Sequence, residues 1–147
     1  MLSVKGDAPV SLAATIGRTI EPHDLVVSHL SGYGRRWNYG SMHLRGDWHH
    51  DGVLVRQGLV VSLGLVVADD ETCNGVAVRV SDDELAKLDW RERDYERTDV
   101  TDSVVSDAAV TGTAISDPFT GARVVTYVPR PSAIERYEQA RDDRRAA

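Results

Sequence analysis

One carboxylate, Glu92, has a helical spacing from two leucines that makes it a candidate for a catalytic role. It follows Leu85 by seven residues and Leu88 by four, and residues so spaced share one face of an α-helix. A helix over Ser81–Glu92 would therefore bury both leucines and aim Glu92 at the interior. Because burial disfavours the charged form of a carboxyl group, we expect Glu92 to be paired, protonated or functional. A structural ion pair with a neighbouring arginine such as Arg91 is the alternative.

The segment that must position Glu92 opens with a helix-start signal. Ser81 and Glu84 form the S-x-x-E pattern of a capping box, in which each side chain bonds the other residue's backbone N–H. Asp82 and Asp83 add negative charge in the first turn, where the helix dipole favours it. The sequence therefore predicts a helix that starts at Ser81, and a strand over Tyr95–Thr101 beyond it.

Three short segments carry a family resemblance: Gly32–Asn38 (GYGRRWN), Asn74–Val80 (NGVAVRV) and Leu88–Val100 (LDWRERDYERTDV). In this order they are similar to segments of gamma-glutamylcyclotransferase-like proteins, a group that includes the ChaC and AIG2-like branches. The similarity runs from about Ser11 to about Tyr137, which is most of the chain. Each motif is weak alone, and the three in register are fairly specific.

The resemblance implies an intramolecular reaction with Glu92 as general acid/base. The free α-amine of a γ-glutamyl group attacks its own γ-carbonyl, which gives 5-oxoproline and releases an amine or peptide. Since the nucleophile is tethered to the electrophile, we expect no metal and no other cofactor. Which γ-glutamyl compound is the substrate stays open. A non-catalytic small-molecule-binding protein on the same scaffold is the alternative function.

Three further residues are candidates for substrate binding. Tyr95 and Arg97 share one face of the strand that follows Glu92, because side chains alternate along a strand. Arg35 is a weaker candidate that could hold a substrate carboxylate with its guanidinium fork. Alternation puts only one of Arg35 and Arg36 inward, and an ion pair with an aspartate explains that one equally well.

The sequence departs from the family pattern near its start. Family members carry a YGSL-type loop there that holds the glutamyl group, and residues 1–7 contain no such motif. Tyr39-Gly40-Ser41-Met42 is similar in letters, but it follows the GYGRRWN segment, and we interpret it as part of a strand. Either the true start lies upstream, or the pocket is altered, or the product is truncated.

Composition narrows the class of protein. A chain of 147 residues fits one domain, expected over residues 1–131, with a charged C-terminal helix or tail over residues 132–147. The net charge of −6 argues against nucleic acid or an anionic membrane as partner. A single cysteine, Cys73, excludes an internal disulfide, and no apolar run is long enough to cross a bilayer. We therefore expect a cytoplasmic protein; its oligomeric state stays open.

The remaining periodicity predicts an α+β domain built on a small, bent, antiparallel-rich sheet or barrel with a few short helices. A short helix over Val10–Ile16 should stop at Gly17. The expected strands are 25–30, 36–44, 59–67, 73–80, 108–114 and 124–128. Residues 45–57 show neither the apolar spacing of a helix nor the alternation of a strand, so we expect a loop there. Residues 69–72 predict a hairpin turn between two Val-rich strands.

Histidines and aspartates concentrate in the predicted loop 45–57 and just before it: His43, His49 and His50 with Asp47 and Asp51. Zinc and iron sites usually take their ligands from regular elements with a second anchor. A predicted loop supplies neither, so we interpret the group as a solvated loop rather than a metal site.

Overall fold

The computed structural model describes residues 8–113 and 116–146, with side chains described for residues 11–49, 51–113 and 116–143. In chain order the elements are α1 (Ala8–Ile16), β1 (Leu25–His50), β2 (Val53–Val78), α2 (Asp82–Arg91), β3 (Tyr95–Asp99), β4 (Val104–Ser106), α3 (Asp107–Val110), β5 (Val125–Pro129) and α4 (Pro131–Ala146). The predicted α+β class is confirmed. None of the helices in the described ranges is long and apolar enough to span a membrane.

A long hairpin dominates the architecture. Strands β1 and β2 have 26 residues each and pair antiparallel from Leu25 opposite Val78 to His50 opposite Val53. The connection is the dipeptide Asp51-Gly52, with φ values of 49° and 81°. Positive φ at both central residues is the requirement of a type I′ hairpin turn, and Asp-Gly is a preferred sequence for it.

This hairpin corrects two sequence-based predictions. Residues 45–57, predicted as a loop, are the paired outer end of the hairpin, and residues 69–72, predicted as a turn, continue β2. The outer end of the hairpin is largely exposed. Without a buried face its residues need not alternate between apolar and polar, so the sequence there does not show the pattern of a strand. Shifts in register, including one between Ser31 and Tyr33 opposite the 69–72 segment, absorb the extra residues without ending the strand.

The other strands are short. Strand β4 pairs antiparallel with Ser28–Leu30 of β1 and gives a three-stranded sheet in the order β2-β1-β4, while β3 and β5 form a separate antiparallel pair. Within the described ranges these pairings do not close into a barrel. The predictions of strands at β3 and β5 are confirmed.

The predicted strand over residues 108–114 is wrong. Residues 107–110 form α3, and Ala114 lies outside the described residues. The Ser106 hydroxyl accepts a hydrogen bond from the Ala109 backbone N–H at 3.1 Å. A serine cap of this kind starts a helix, and the alanine-rich segment behind it has a helix propensity that the strand prediction overlooked.

The core has two parts. One gathers Leu30, Cys73, Val100, Val104 and Val124 between the sheets. The other gathers Leu12, Ile16, Val78 and Leu88, where α1 packs on α2 and the end of β2. Helix α1 ends before Gly17, whose φ is 84°, as the sequence predicts. Leu88 is fully buried, which confirms the predicted phase of the second helix.

Helix α4 lies against the middle of β1, and a glycine permits the approach. A Cβ added at Gly40 would lie 2.9 Å from the Tyr137 backbone nitrogen and 3.2 Å from the Ala133 carbonyl oxygen. Ala133 itself is fully buried in this contact region. The Arg136 Nε donates to the Gly40 carbonyl at 3.1 Å. Residue 40 therefore has no room for a side chain.

We expect Gly40→Ala to lower the free energy of unfolding by about 1–3 kcal/mol, because the new methyl group would push against helix backbone. Gly46→Ala, on the same strand, is the matched control: its added Cβ meets only Val60 Cγ2, at 3.8 Å. Urea unfolding of both variants checks this. Equal effects from the two substitutions would contradict the close docking of α4 on β1.

Candidate functional site

Glu92 closes helix α2. The predicted capping box is present at the start of this helix, with Ser81 and Glu84 bonded reciprocally. At the other end the Glu92 backbone N–H donates to the Leu88 carbonyl at 2.8 Å, which makes Glu92 the C-cap residue. Its side chain is 18% exposed, and Arg91 Nε lies 3.1 Å from Glu92 Oε1. Burial raises the pKa of the Glu92 carboxyl, and the charge of Arg91 partly opposes that rise.

Two half-buried tyrosines adjoin Glu92. The Tyr95 backbone N–H donates to the Glu92 carbonyl at 2.8 Å, so a tight turn holds the two residues together. Burial raises the pKa of Tyr95, with smaller contributions from Tyr39 and from the Glu92 charge. Burial also raises the pKa of Tyr127, assisted by its hydrogen bond to Asp89 and again by Glu92. Both phenols therefore stay protonated at neutral pH, and both lie within electrostatic reach of the Glu92 carboxylate.

The middle of β1 supplies the opposite wall. The Tyr39 ring stacks on the Tyr95 ring with centroids 4.6 Å apart and an angle of 11° between planes. Ser62, paired with Tyr39 across the hairpin, hydrogen-bonds Tyr95 and partly offsets the rise in its pKa. Asn38 lies beside Tyr39 at a register shift in β1 and is 8% exposed. Helix α2, strand β3 and the long hairpin thus meet at this point.

Asp94 is a buried carboxylate that the sequence analysis missed. Its Oδ2 accepts hydrogen bonds from the Tyr39 hydroxyl at 3.1 Å, the Met42 backbone N–H at 3.3 Å and Arg136 Nη2 at 3.3 Å. The Arg130 backbone N–H donates to the Asp94 carbonyl at 3.1 Å. Asp94 precedes β3, and its spacing from Leu85 and Leu88 is not that of one helix face. The helical pattern that identified Glu92 therefore did not identify Asp94.

The segment Tyr39-Gly40-Ser41-Met42 therefore borders the site. Its sequence context predicts a strand segment, and the structure does place it in β1. However, Tyr39 and the Met42 N–H bind Asp94, two residues from Glu92. Only the fold could show this, because the segment is about 50 residues from Glu92 in the chain.

Arg97 and Arg35 form hydrogen bonds with residues other than Glu92. Arg97 Nη1 binds Asp89 Oδ2 at 2.7 Å, and Asp89 Oδ1 accepts from the Tyr127 hydroxyl at 2.7 Å. Arg97 therefore reaches the Glu92 region through Tyr127 rather than directly. The guanidinium of Arg35 donates to both the side chain and the backbone carbonyl of Asn74 on β2.

The histidine group lies on the outer end of the hairpin rather than on a loop. His43 and His49 are exposed there, and Asp47 Oδ1 accepts from the Gln57 backbone N–H at 2.7 Å. The side chain of His50 is outside the described set. Among the residues whose side chains are described, no three His, Cys, Asp or Glu residues are grouped as metal ligands would be.

This chain is similar to proteins of solved structure. It is similar to the solution structure of the Arabidopsis thaliana protein At3g28950.1, with a TM-score of 0.51 and 24% identity over 97% of this chain and 74% of that one. A second Arabidopsis thaliana solution structure, of At5g39720.1, gives a TM-score of 0.49 and 20% identity over 92% and 76% of the two chains. No protein-family model matches, and neither does any curated protein. The first likeness shows the fold alone.

We expect Asp94→Ala to lower the free energy of unfolding by about 2–5 kcal/mol, because it leaves a part-buried guanidinium and two other donors without their acceptor. Asp102→Ala, at an exposed aspartate, is the control and should change the free energy by no more than about 0.5 kcal/mol. Urea unfolding measures both. A loss at Asp94 no larger than that at Asp102 would contradict the role given to this carboxylate.

Proposed function

We propose that the protein cyclises a γ-glutamyl group to 5-oxoproline, with Glu92 as the general acid/base. The observation that supports this most directly is the environment of Glu92: a half-buried carboxyl group of raised pKa, next to Tyr95 and Tyr127, at the junction of α2, β3 and the long hairpin. The resemblance of the three sequence segments supplies the reaction class.

The reaction needs one group that takes a proton and then returns it. Glu92 accepts a proton from the α-ammonium of the substrate, and the freed nitrogen attacks the γ-carbon. The new N–C bond closes a five-membered ring. As the bond from the γ-carbon to the leaving nitrogen breaks, Glu92 delivers its proton to that nitrogen. The ring nitrogen then loses its second proton to the regenerated Glu92 carboxylate, which leaves one hydrogen on the lactam, and Glu92 passes that proton to the released amine or to water. A raised pKa suits both steps, because it brings the proton affinity of the carboxyl group nearer to neutrality.

The tyrosines give this carboxylate its chemical setting. The Tyr95 phenol is protonated at neutral pH and so can donate a hydrogen bond to an oxygen that becomes negative as the ring closes, whereas the Tyr127 hydroxyl already donates to Asp89. The Tyr39 and Tyr95 rings stack on each other and so place apolar surface on the Tyr95 side of the site. Burial of the Glu92 carboxyl group is what raises its pKa.

We expect Glu92→Gln to reduce 5-oxoproline formation about 10²- to 10⁴-fold, the usual contribution of a general acid/base. The amide keeps the shape of the side chain but cannot accept the substrate proton. Release of 5-oxoproline from a panel of γ-glutamyl dipeptides and amines is the assay. Asp82→Asn, in the exposed first turn of the same helix, is the control and should retain full activity.

A folded and fully active Glu92→Gln variant would overturn this assignment. If the wild-type protein binds γ-glutamyl compounds and never releases 5-oxoproline, the alternative of a binding protein on the same scaffold would hold instead. Binding is measured by calorimetry on the same panel. The two measurements therefore separate the enzyme from the binding protein.

The raised pKa of Glu92 also predicts a pH-dependent stability. The folded state holds the Glu92 proton more tightly than the unfolded state, so stability falls as pH rises through the unfolded value of about 4.3 and levels off above the folded value. Glu92→Gln lacks this titration. We therefore expect the variant to gain stability relative to wild type as pH rises from about 4 to about 7.

Urea unfolding of the two proteins at a series of pH values checks this. The opposite trend, in which wild type gains on the variant as pH rises, would mean that the ion pair with Arg91 outweighs burial. Glu92 would then be a structural ion-pair residue, which is the alternative that the sequence left open.

A further inference from the structure

Asn38 is a buried amide without a partner. It is 8% exposed, and neither its Oδ1 nor its Nδ2 makes a hydrogen bond within the described part of the chain. Buried polar side-chain atoms are almost always paired, and leaving both ends of an amide unpaired is costly. Such a group calls for a specific explanation, and a binding role for the amide is one.

The position of the amide is set by the fold. Asn38 lies between Trp37 and Tyr39, where the register of β1 shifts against β2. At such a bulge one strand carries an extra residue, which can re-aim a side chain. Trp37 is 57% exposed, while Asn38 is buried, so the amide faces inward at this register shift.

Two neighbours place this amide near Glu92. A Cβ added at Gly64 would overlap both Asn38 Oδ1 and Pro129 Cγ, so the amide and Pro129 lie together over Gly64. Pro129 is the cross-strand partner of Tyr95, and Tyr95 is bonded to Glu92 by the turn. Asn38 and Tyr39 therefore face the same end of the β3–β5 pair, and Glu92 adjoins it.

We infer that Asn38 is a ligand-binding residue of this site and that it recognises the α-amino-acid end of the substrate. This inference rests on the proposed function. A carboxamide offers one acceptor and two donors side by side. Its Oδ1 accepts from the α-amino group and its Nδ2 donates to the α-carboxylate. Held in this way, the amine keeps its lone pair free to face the γ-carbonyl.

This assignment also explains a choice of residue type. A neutral amide can bind both the amino group and the carboxylate, whereas a lysine or an aspartate would suit only one of them. An aspartate at position 38 would add a further negative charge to those of Asp89 and Asp94 and so change the pKa of the general base. An amide avoids that change, and the glycine at position 64 leaves it room.

The test is calorimetric binding of γ-glutamylalanine to proteins that carry Glu92→Gln, so that turnover is suppressed. We expect Asn38→Leu to weaken binding about 10- to 100-fold, the range for lost hydrogen bonds to charged groups. Gln139→Leu, which also replaces an amide but on the exposed face of α4, should leave the dissociation constant unchanged. Unchanged binding by folded Asn38→Leu would overturn the inference.

A second measurement removes dependence on the variant's folding. In ¹⁵N-labelled Glu92→Gln protein, the Asn38 side-chain amide resonances should shift when γ-glutamylalanine is added. They should not shift at the same concentration of N-acetyl-γ-glutamylalanine, which lacks the free amine. An unmoved Asn38 signal, or equal shifts with both compounds, would also overturn the assignment, and an internal water would then be the partner of the amide.

The outcomes distinguish this inference from the proposed function. Binding that depends on Asn38, without any 5-oxoproline from the wild-type protein, would retain the inference and overturn the reaction. Release of 5-oxoproline, with binding indifferent to Asn38, would retain the reaction and overturn the inference. Absence of both binding and product would overturn both.

Discussion

The carboxylate of Asp94 holds together the parts of the structure on which the site depends. Asp94 Oδ2 accepts hydrogen bonds from Tyr39 and Met42 of β1 and from Arg136 of α4. The backbone of Asp94 belongs to the turn between α2 and β3. A buried charge is costly unless its partners are all in place. The elements must therefore adopt one mutual position, and that position brings the Tyr39 ring onto Tyr95 beside Glu92.

The long hairpin is the frame on which this arrangement is built. Each register shift along β1 changes which side chains face inward, because side chains in a strand alternate between faces. The shift at Asn38 turns the amide and the Tyr39 ring to the β3–β5 pair, and Gly40 then admits α4. A hairpin without these irregularities would send one of the two side chains to solvent. The Asp51-Gly52 turn sets the register from which the shifts are counted.

The site concentrates what a stable core avoids. Glu92 is a half-buried carboxyl group of raised pKa, Asn38 is an amide without a described partner, and two phenols lie beside the carboxylate. The clusters around Leu30 and Leu88, by contrast, are apolar and closely buried, although Arg35 Nε on β1 is also buried without a hydrogen bond within the described residues. Local violations that gather at one point are expected of functional sites, where stability is sacrificed for chemistry.

Local signals were enough for the elements whose physics is local. The Ser81–Glu84 capping box, the Leu88 phase, the end of α1 at Gly17 and the β3 and β5 strands all depend on residues within a few positions of one another, and the α+β class follows from them. The sequence did not predict the long hairpin, because its exposed residues show no alternation of apolar and polar side chains. The Asp51-Gly52 dipeptide was a local signal for its turn. Asp94 came together with Tyr39 and Asn38 only through tertiary structure, since it lies 55 residues after Tyr39 in the chain and meets this part of β1 through packing between strands and helices. Glu92 could be identified from sequence because its helical spacing places it on the buried face of α2. Its neighbours from other elements could not, because tertiary packing alone decides which residues face it.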